Sequence, residues 1–238
     1  MAQTILHKAD SRGITDLGWL KSYQTFCFGN YYNPDRIHFG ALRVLNDDIV
    51  DGGKGFGDHP HDNMEIISIP LEGELRHEDS MGNTAVIRPG EIQMMSAGTG
   101  IYHAEYNGNK DKPAKFLQIW LYPNQLNVEP RYDQIVLEKG KALNNLQQIV
   151  SPNKEDQGVW VYQNAWFYLA NFEKGFAQNY SLHNEKNGVY IFVIKGSVET
   201  ANTLLEERDG LGILETDQLS IRAQNDAEFL LMEVSMTI

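Results

Sequence analysis

Seven histidines occur, at positions 7, 38, 59, 61, 77, 103 and 183, and two places in the chain space them in a way that suits metal chemistry. In "GDHPHDNME" (57–65), His59 and His61 flank a proline, and Glu65 follows four residues after the second. On an extended chain, residues i and i+2 point to one face with Cα atoms about 6.6 Å apart, so two imidazoles can converge on one ion. A second pair of the same spacing, His103 and Glu105, stands in "GTGIYHAEYN", with 42 residues separating His61 from His103. Either pair alone is more simply the polar face of a half-exposed strand. Two such pairs, each beside a Gly-rich turn, favour a metal clamp. Three imidazoles and a carboxylate suit Fe(II), Mn, Ni, Cu or Zn better than Mg or Ca, and a set without thiolates argues against a purely structural zinc knot. Glu65 reaches the same face if its strand continues unbroken. One carboxylate is then a ligand and the other orients a metal-bound imidazole, and spacing does not choose between Glu65 and Glu105. His7, His38 and His183 have no partner at a useful spacing and read as structural or exposed.

The elements that must position these groups are strands. Runs at 39–47, 64–73, 74–80, 84–90, 91–98 and 115–123, and again at 160–172, 175–182, 188–199, 209–223 and 227–236, are rich in β-branched and aromatic residues and punctuated by Gly, Pro, Asn and Asp. No long stretch carries a helical period; "DLGWLKSYQTF" is the most helix-like piece. The pattern predicts an all-β protein. A weak internal echo pairs "IISIPLEGEL" with "IFVIKGSV", "RPGEIQMMSA" with "LETDQLSIRA", and "KFLQIWLYP" with "EFLLMEVSM". Two similar β-domains are expected, 1–130 and 131–238, with the polar stretch 124–158 as connector.

A chain of 238 residues with 42% hydrophobic residues can build two cores. A net charge of −12 without a basic run excludes direct nucleic-acid contact and an anionic membrane surface as expectations. The single cysteine, Cys27, cannot form an internal disulfide and reads as a buried, inert thiol. No apolar leader-like segment or membrane-length stretch is present, so a cytoplasmic protein is expected.

The motifs resemble the cupin superfamily and, within it, the pirin family. The spacing Gly53, His59, His61, Glu65, Gly73 is similar to the first cupin motif. Gly100 to Asn107, with His103, is similar to the second, with Gly98 where many cupins have proline. "HPHxxxE", "HEDSMGN", "MSAGTGIYHAEYN" and the opening "GWLKSYQTFCFGNYYNP" resemble pirins in particular. The resemblance implies a bicupin of two face-to-face jelly-roll-like barrels. Its one metal, usually iron, lies in the N-terminal barrel, held by His59, His61, His103 and Glu105, with Glu65 a near neighbour. The family's "HTFSF" reads Gln24 to Phe28 here, which puts any role of that His and Ser in doubt. In the second half His183 and Glu185 are at most a faint echo, and Val189 stands near the glutamate position, so no second metal is expected.

Bacterial pirins resemble quercetin 2,3-dioxygenases. The resemblance therefore implies an Fe(II) enzyme (Mn, Ni, Cu, Zn or Co as alternatives) that opens a flavonol or related enol or catechol-like ring with O2 and releases CO. Glu105, then Glu65, is the candidate proton acceptor, with Phe56 and Met64 as pocket walls. Two other readings are a metal- or redox-sensing protein that binds a transcription factor or enzyme partner without turnover, and an inactive scaffold. A monomer is expected.

Overall fold

The computed structural model describes residues 2–238. The first part of the chain supplies β1 (Gln3–His7), β2 (Gly13–Asp16), β3 (Leu20–Gln24), β4 (Leu42–Val50), β5 (Gly55–His61), β6 (Glu65–Glu72), β7 (Leu75–Asp79), β8 (Thr84–Ile87), β9 (Glu91–Ser96), β10 (Ile101–Asn107), β11 (Ala114–Leu121) and β12 (Arg131–Val136). The second supplies β13 (Leu146–Ser151), β14 (Val159–Trp160), β15 (Ala165–Phe172), β16 (Ala177–Ser181), β17 (Asn187–Lys195), β18 (Val198–Thr200), β19 (Thr203–Leu205), β20 (Gly210–Leu214), β21 (Gln218–Ala223) and β22 (Ala227–Ser235). Among the described residues the only helical element is one 3-10 turn, Ala9–Ser11, and no helix is long and apolar enough to cross a membrane. The segment read as most helix-like is the β2–β3 hairpin. In β3 ("LKSYQ") Leu20, Ser22 and Gln24 turn inward while Lys21 and Tyr23 face outward, a period of two that outweighs the helix-forming residues.

The two halves repeat one strand order, differing at one edge, where β2 runs antiparallel to β3 and β14 parallel to β13. The first pairs a seven-stranded sheet, β12-β9-β6-β11-β4-β3-β2, with a four-stranded sheet, β5-β10-β7-β8. The second pairs β1-β20-β17-β22-β15-β13-β14 with β16-β21-β18-β19. Position by position, β6 corresponds to β17 and β11 to β22, as the sequence echo suggests; Gly73 and Gly196 close the corresponding strands with φ of 74° and 76°. The middle echo is one strand out of step, because β9 corresponds to β20 and "DQLSIRA" forms β21, the counterpart of β10.

The outer strands of the large sheets are exchanged. β1, early in the chain, pairs with β20 of the second sheet, and β12, beyond residue 130, pairs with β9 of the first. Sheet membership therefore crosses the expected division at 130/131, and the polar connector carries β12 and β13. The two large sheets pack against each other. Ile67, Ile69, Leu117 and Ile119 of one meet Phe167, Phe192, Leu230 and Met232 of the other in one apolar core. Asp47, bonded by Arg12 and Arg208, ties the halves at the edge.

Candidate metal centre

The proposed ligands come from two neighbouring strands of the small sheet. His59 and His61 lie on β5, and His103 is registered directly opposite His59 on β10. A bulge in the β10–β5 pairing falls between His103 and Glu105. The extra residue is on β5, between Phe56 and His59, while β10 stays regular against β7, so His103 and Glu105 share the inward face by simple alternation and are both buried. The three rings stand close: His59 and His103 have centroids 4.3 Å apart, and His61 is 4.9 Å from each.

Their protonation is set by what surrounds them. His59 Nδ1 lies 2.8 Å from the Gly57 carbonyl, which can only accept, so this nitrogen carries a hydrogen and Nε2 is the atom left to face an ion. On the far side, Asp79 Oδ2 accepts from His77 Nε2 at 3.2 Å, and Gln93 Nε2 donates to His77 Nδ1 at 3.1 Å. His103 Nδ1 approaches the same His77 Nδ1 at 3.5 Å. The single lone pair of that His77 nitrogen is already taken by Gln93, so this approach is a contact between the two rings. The Nε2 atoms of His61 and His103 are buried and have no hydrogen-bond partner. Burial, and next the neighbouring His59, pushes the His61 pKa down to about 4; burial, with the other rings adding, pushes His103 far lower. Unprotonated imidazoles with buried, unpaired lone pairs are what a cation requires, and the donor set fits a borderline transition metal. The nitrogens of His59, His61 and His103 lie within 4.8 Å of one another.

The two carboxylates have different surroundings. Glu105 stands with His77 and His103 in a second cluster of ligand atoms within 4.8 Å, and its oxygens accept from Gln118 Nε2 at 2.8 Å and Ser68 Oγ at 3.2 Å. Burial, with Asp48 nearby, raises its pKa to about 7. Glu65 does not share the ligand face. The chain turns at Asn63 (φ 43°) and re-enters as β6 of the large sheet, so the unbroken strand that aligned Glu65 with His61 does not exist. Its carboxylate accepts from Ser96 Oγ at 2.9 Å and from the Tyr162 amide of the second half at 3.0 Å.

The imidazoles open onto a cavity of about 310 Å³ with an apolar wall that includes Leu17, Leu20, Phe28, Phe56, Ile66 and Trp120. Phe56 is a wall residue as expected. Met64 is not; it packs with Ile66 and Met95. Trp120 meets His61 edge to face at 4.8 Å. Gly98 has φ of 48° and lies against the Val128 carbonyl, so neither proline nor any residue with a Cβ fits there.

Sequence reasoning missed His77 and the polar floor. The signal for His77 was the third i, i+2 pair, His77 and Asp79 in "LRHED", which registers against Glu105 and His103. The floor is a row across the large sheet: Gln24, Asn46, Gln118, Ser68 and Gln93, each opposite the next on adjoining strands. Of the remaining histidines, His7 bonds Tyr190, His38 bonds the Gly40 carbonyl, and His183 stacks on Trp166 and bonds Tyr168.

Comparison with known proteins bears on both halves. The Pirin family model matches residues 7–121, and the quercetinase C-terminal cupin domain matches 148–234. The chain is 40% identical over 229 residues to a quercetin 2,3-dioxygenase of Escherichia coli K12, covering 96% of this chain and 97% of that one. It is 34% identical to a pirin-like protein of Caulobacter vibrioides, covering 95% and 97%. Among solved structures, the bacterial pirin YhhW of Escherichia coli in complex with nickel(II) superposes with a TM-score of 0.93 at 38% identity, covering 99% and 100%.

Proposed function

The chain belongs to the pirin family, and from that premise we propose that it is a metal-dependent dioxygenase of the quercetin 2,3-dioxygenase type. The observation that carries this reading is the convergence of three imidazoles, two of them with buried unpaired Nε2 atoms, on a cavity with an aromatic wall. His59, His61 and His103 would hold the ion, which we take to be Fe(II), and Glu105 would be the fourth ligand. A bound divalent ion supplies Lewis acidity that lowers the pKa of a hydroxyl placed on it.

The chain's own groups then do the following. Phe56, Phe28 and Trp120 flank a flat aromatic substrate and exclude water. Ser68 and Gln118 fix the Glu105 carboxylate. Glu105, the buried carboxylate beside His103, would accept the substrate hydroxyl proton. Glu65, bonded to Ser96 and Tyr162, joins the two halves and takes no part in proton transfer. The net reaction incorporates both atoms of O2 into the ring-opened product and releases one ring carbon as CO. The test is loss of flavonol absorbance together with CO release by iron-loaded protein. Turnover by wild type no faster than by the His59→Ala/His61→Ala double variant overturns the reading.

A further inference from the structure

The polar row across the first large sheet has two ends with different fates. Toward β9, Gln93 donates to His77, Ser68 bonds Glu105 and Gln118, and Gln118 donates to Glu105; the one oxygen without a partner there, Gln93 Oε1, belongs to a residue that does not line the cavity. Toward β3, the unpartnered oxygens belong to residues that do line it. Gln24 donates its amide N–H to Thr15 at 2.8 Å, but its Oε1 has no partner, and neither do Asn46 Oδ1 nor Asp48 Oδ1 next along β4. These side chains are only 2%, 1% and 4% exposed, and all three line the cavity that holds the imidazoles. Orphaned buried polar atoms are costly, and a folded chain keeps them where something else satisfies them. The Gln24 and Asn46 oxygens are acceptors; Asp48, its carboxyl pushed up to about 7 by burial, stands opposite Ser22 on β3, which lines the same cavity. An apolar ring edge leaves the two amide oxygens unpaired, an ionised carboxylate has no hydrogen to give them, and a hydroxyl group donates to each.

We infer that Gln24 and Asn46, with Asp48 beside them, form a hydroxyl-reading subsite that selects among flavonols by the hydroxyls they carry beyond the one at the metal. The inference rests on the reading of the cavity as a flavonol site and adds what distinguishes one flavonol from another. The same spacing explains why Gln24 suits this wall: its amide spans from Thr15 to the cavity, one end donating and one accepting. A site built to bond a hydroxyl discriminates strongly against an analogue lacking it, because the buried acceptors are then left bare.

The test compares quercetin with 3-hydroxyflavone, which keeps the metal-facing hydroxyl and lacks the others. Affinities are measured on metal-loaded, full-length protein without oxygen, and kcat/KM with it. Wild type is expected to prefer quercetin by about tenfold or more in both, the scale of one or two neutral hydrogen bonds. Asn46→Leu is expected to bring that ratio to about twofold or below, and Gln24→Leu is the second variant should the first not fold. Equal affinity for the two flavonols in wild type, or an undiminished ratio in a folded variant, overturns the inference: the wall is then lined by water only. Failure of the underlying reading looks different. If neither flavonol is turned over above the His59→Ala/His61→Ala background while the binding preference follows Gln24 and Asn46, the subsite stands and the dioxygenase does not. If neither flavonol binds, both fall.

Discussion

The two barrels have one strand order and opposite interiors. In the second, the row Tyr168, Leu231, Ile191 and Leu211 crosses the large sheet and joins a continuous apolar core with Phe229, Ile221 and Val189. In the first, the corresponding strands place Asn46, Gln118, Ser68 and Gln93 inward, and the apolar residues shrink to small clusters around Phe116 and Ile66. Both large sheets keep their outward faces apolar, because those faces bury each other. Only one face per sheet is free to vary: one barrel has filled it and the other has left a cavity with ligand-type side chains. Among the described residues, both clusters of three or more ligand-type groups lie in the first barrel. At the matching edge of the second, Asn179 pairs with Ser220, and the buried Glu233 is occupied by Tyr180, Asn187 and two backbone amides.

The comparison breaks most visibly at the ligands. His59→Ala or His61→Ala is expected to lower bound metal from about one per chain to below a tenth and to reduce turnover by about a thousandfold or more, since the group acts as a unit. Asn179→Ala and Ser220→Ala in the second barrel are expected to leave metal content, read by atomic emission, unchanged. Metal loss on altering the second barrel would show that the site is not confined to the first.

Stability should respond the other way round. Phe229→Ala removes a fully buried ring from the filled barrel and is expected to cost about 3–5 kcal/mol in urea unfolding. Asn46→Leu, in the open barrel, removes an orphaned acceptor and adds apolar volume toward the cavity, and is expected to raise stability by about 1 kcal/mol. A loss at Asn46 comparable to that at Phe229 would mean that the polar floor is structural and not held for a ligand.

This contrast also explains what was legible in the sequence. In β17, "VYIFVI" is apolar at every position, since Tyr190, Phe192 and Ile194 face the sheet–sheet core and Val189, Ile191 and Val193 the barrel. Such a run announces a buried strand but not its two faces. In β11, "FLQIWL" (116–121) reads equally as an apolar strand, and the one residue that departs, Gln118, is the one that holds Glu105. The imidazole pairs were visible because i, i+2 spacing is local. The polar row was not, because its members come from five strands and meet only through register. Glu65 misled for the same reason in reverse: four residues from His61 in sequence, it is carried to another sheet by the turn at Asn63. The exchanged β1 and β12 left no local signal, since pairing partners of edge strands are set by the far chain.

The exchange itself can be probed by pH. His7, the last residue of β1, is buried against Phe26 and bonded to Tyr190 at 2.8 Å. Burial, and next the charge of Arg36, lowers its pKa to about 4 from an ordinary 6.5. A folded-state value below the unfolded one means that the unfolded chain takes up the proton first. The neutral ring's contribution is therefore intact above about pH 6.5 and is lost progressively toward pH 4, by about 2–3 kcal/mol in all. The difference between wild type and His7→Phe in urea midpoint should shrink over that window. A constant difference from pH 7.5 to 4.5 would show that the ring is reached by solvent and that β1 is loosely held.

The smallest expected effect separates the two glutamates. Burial raises the Glu65 pKa to about 7, opposed by the Tyr162 amide, Ser96 and Arg131, so folding becomes less favourable as pH rises from the unfolded value of 4.5 through 7. Glu65→Gln keeps an acceptor for the Tyr162 amide and removes the buried charge. It is expected to raise stability by about 1 kcal/mol at pH 8, to have little effect at pH 5, and to leave flavonol turnover within about twofold of wild type. Glu105→Gln should cost turnover by about a hundredfold or more, because the group placed to accept the proton is gone. If Glu65→Gln lost activity on that scale while keeping its fold and its metal, proton acceptance would belong to the carboxylate that joins the barrels, and the open barrel would not work without the filled one.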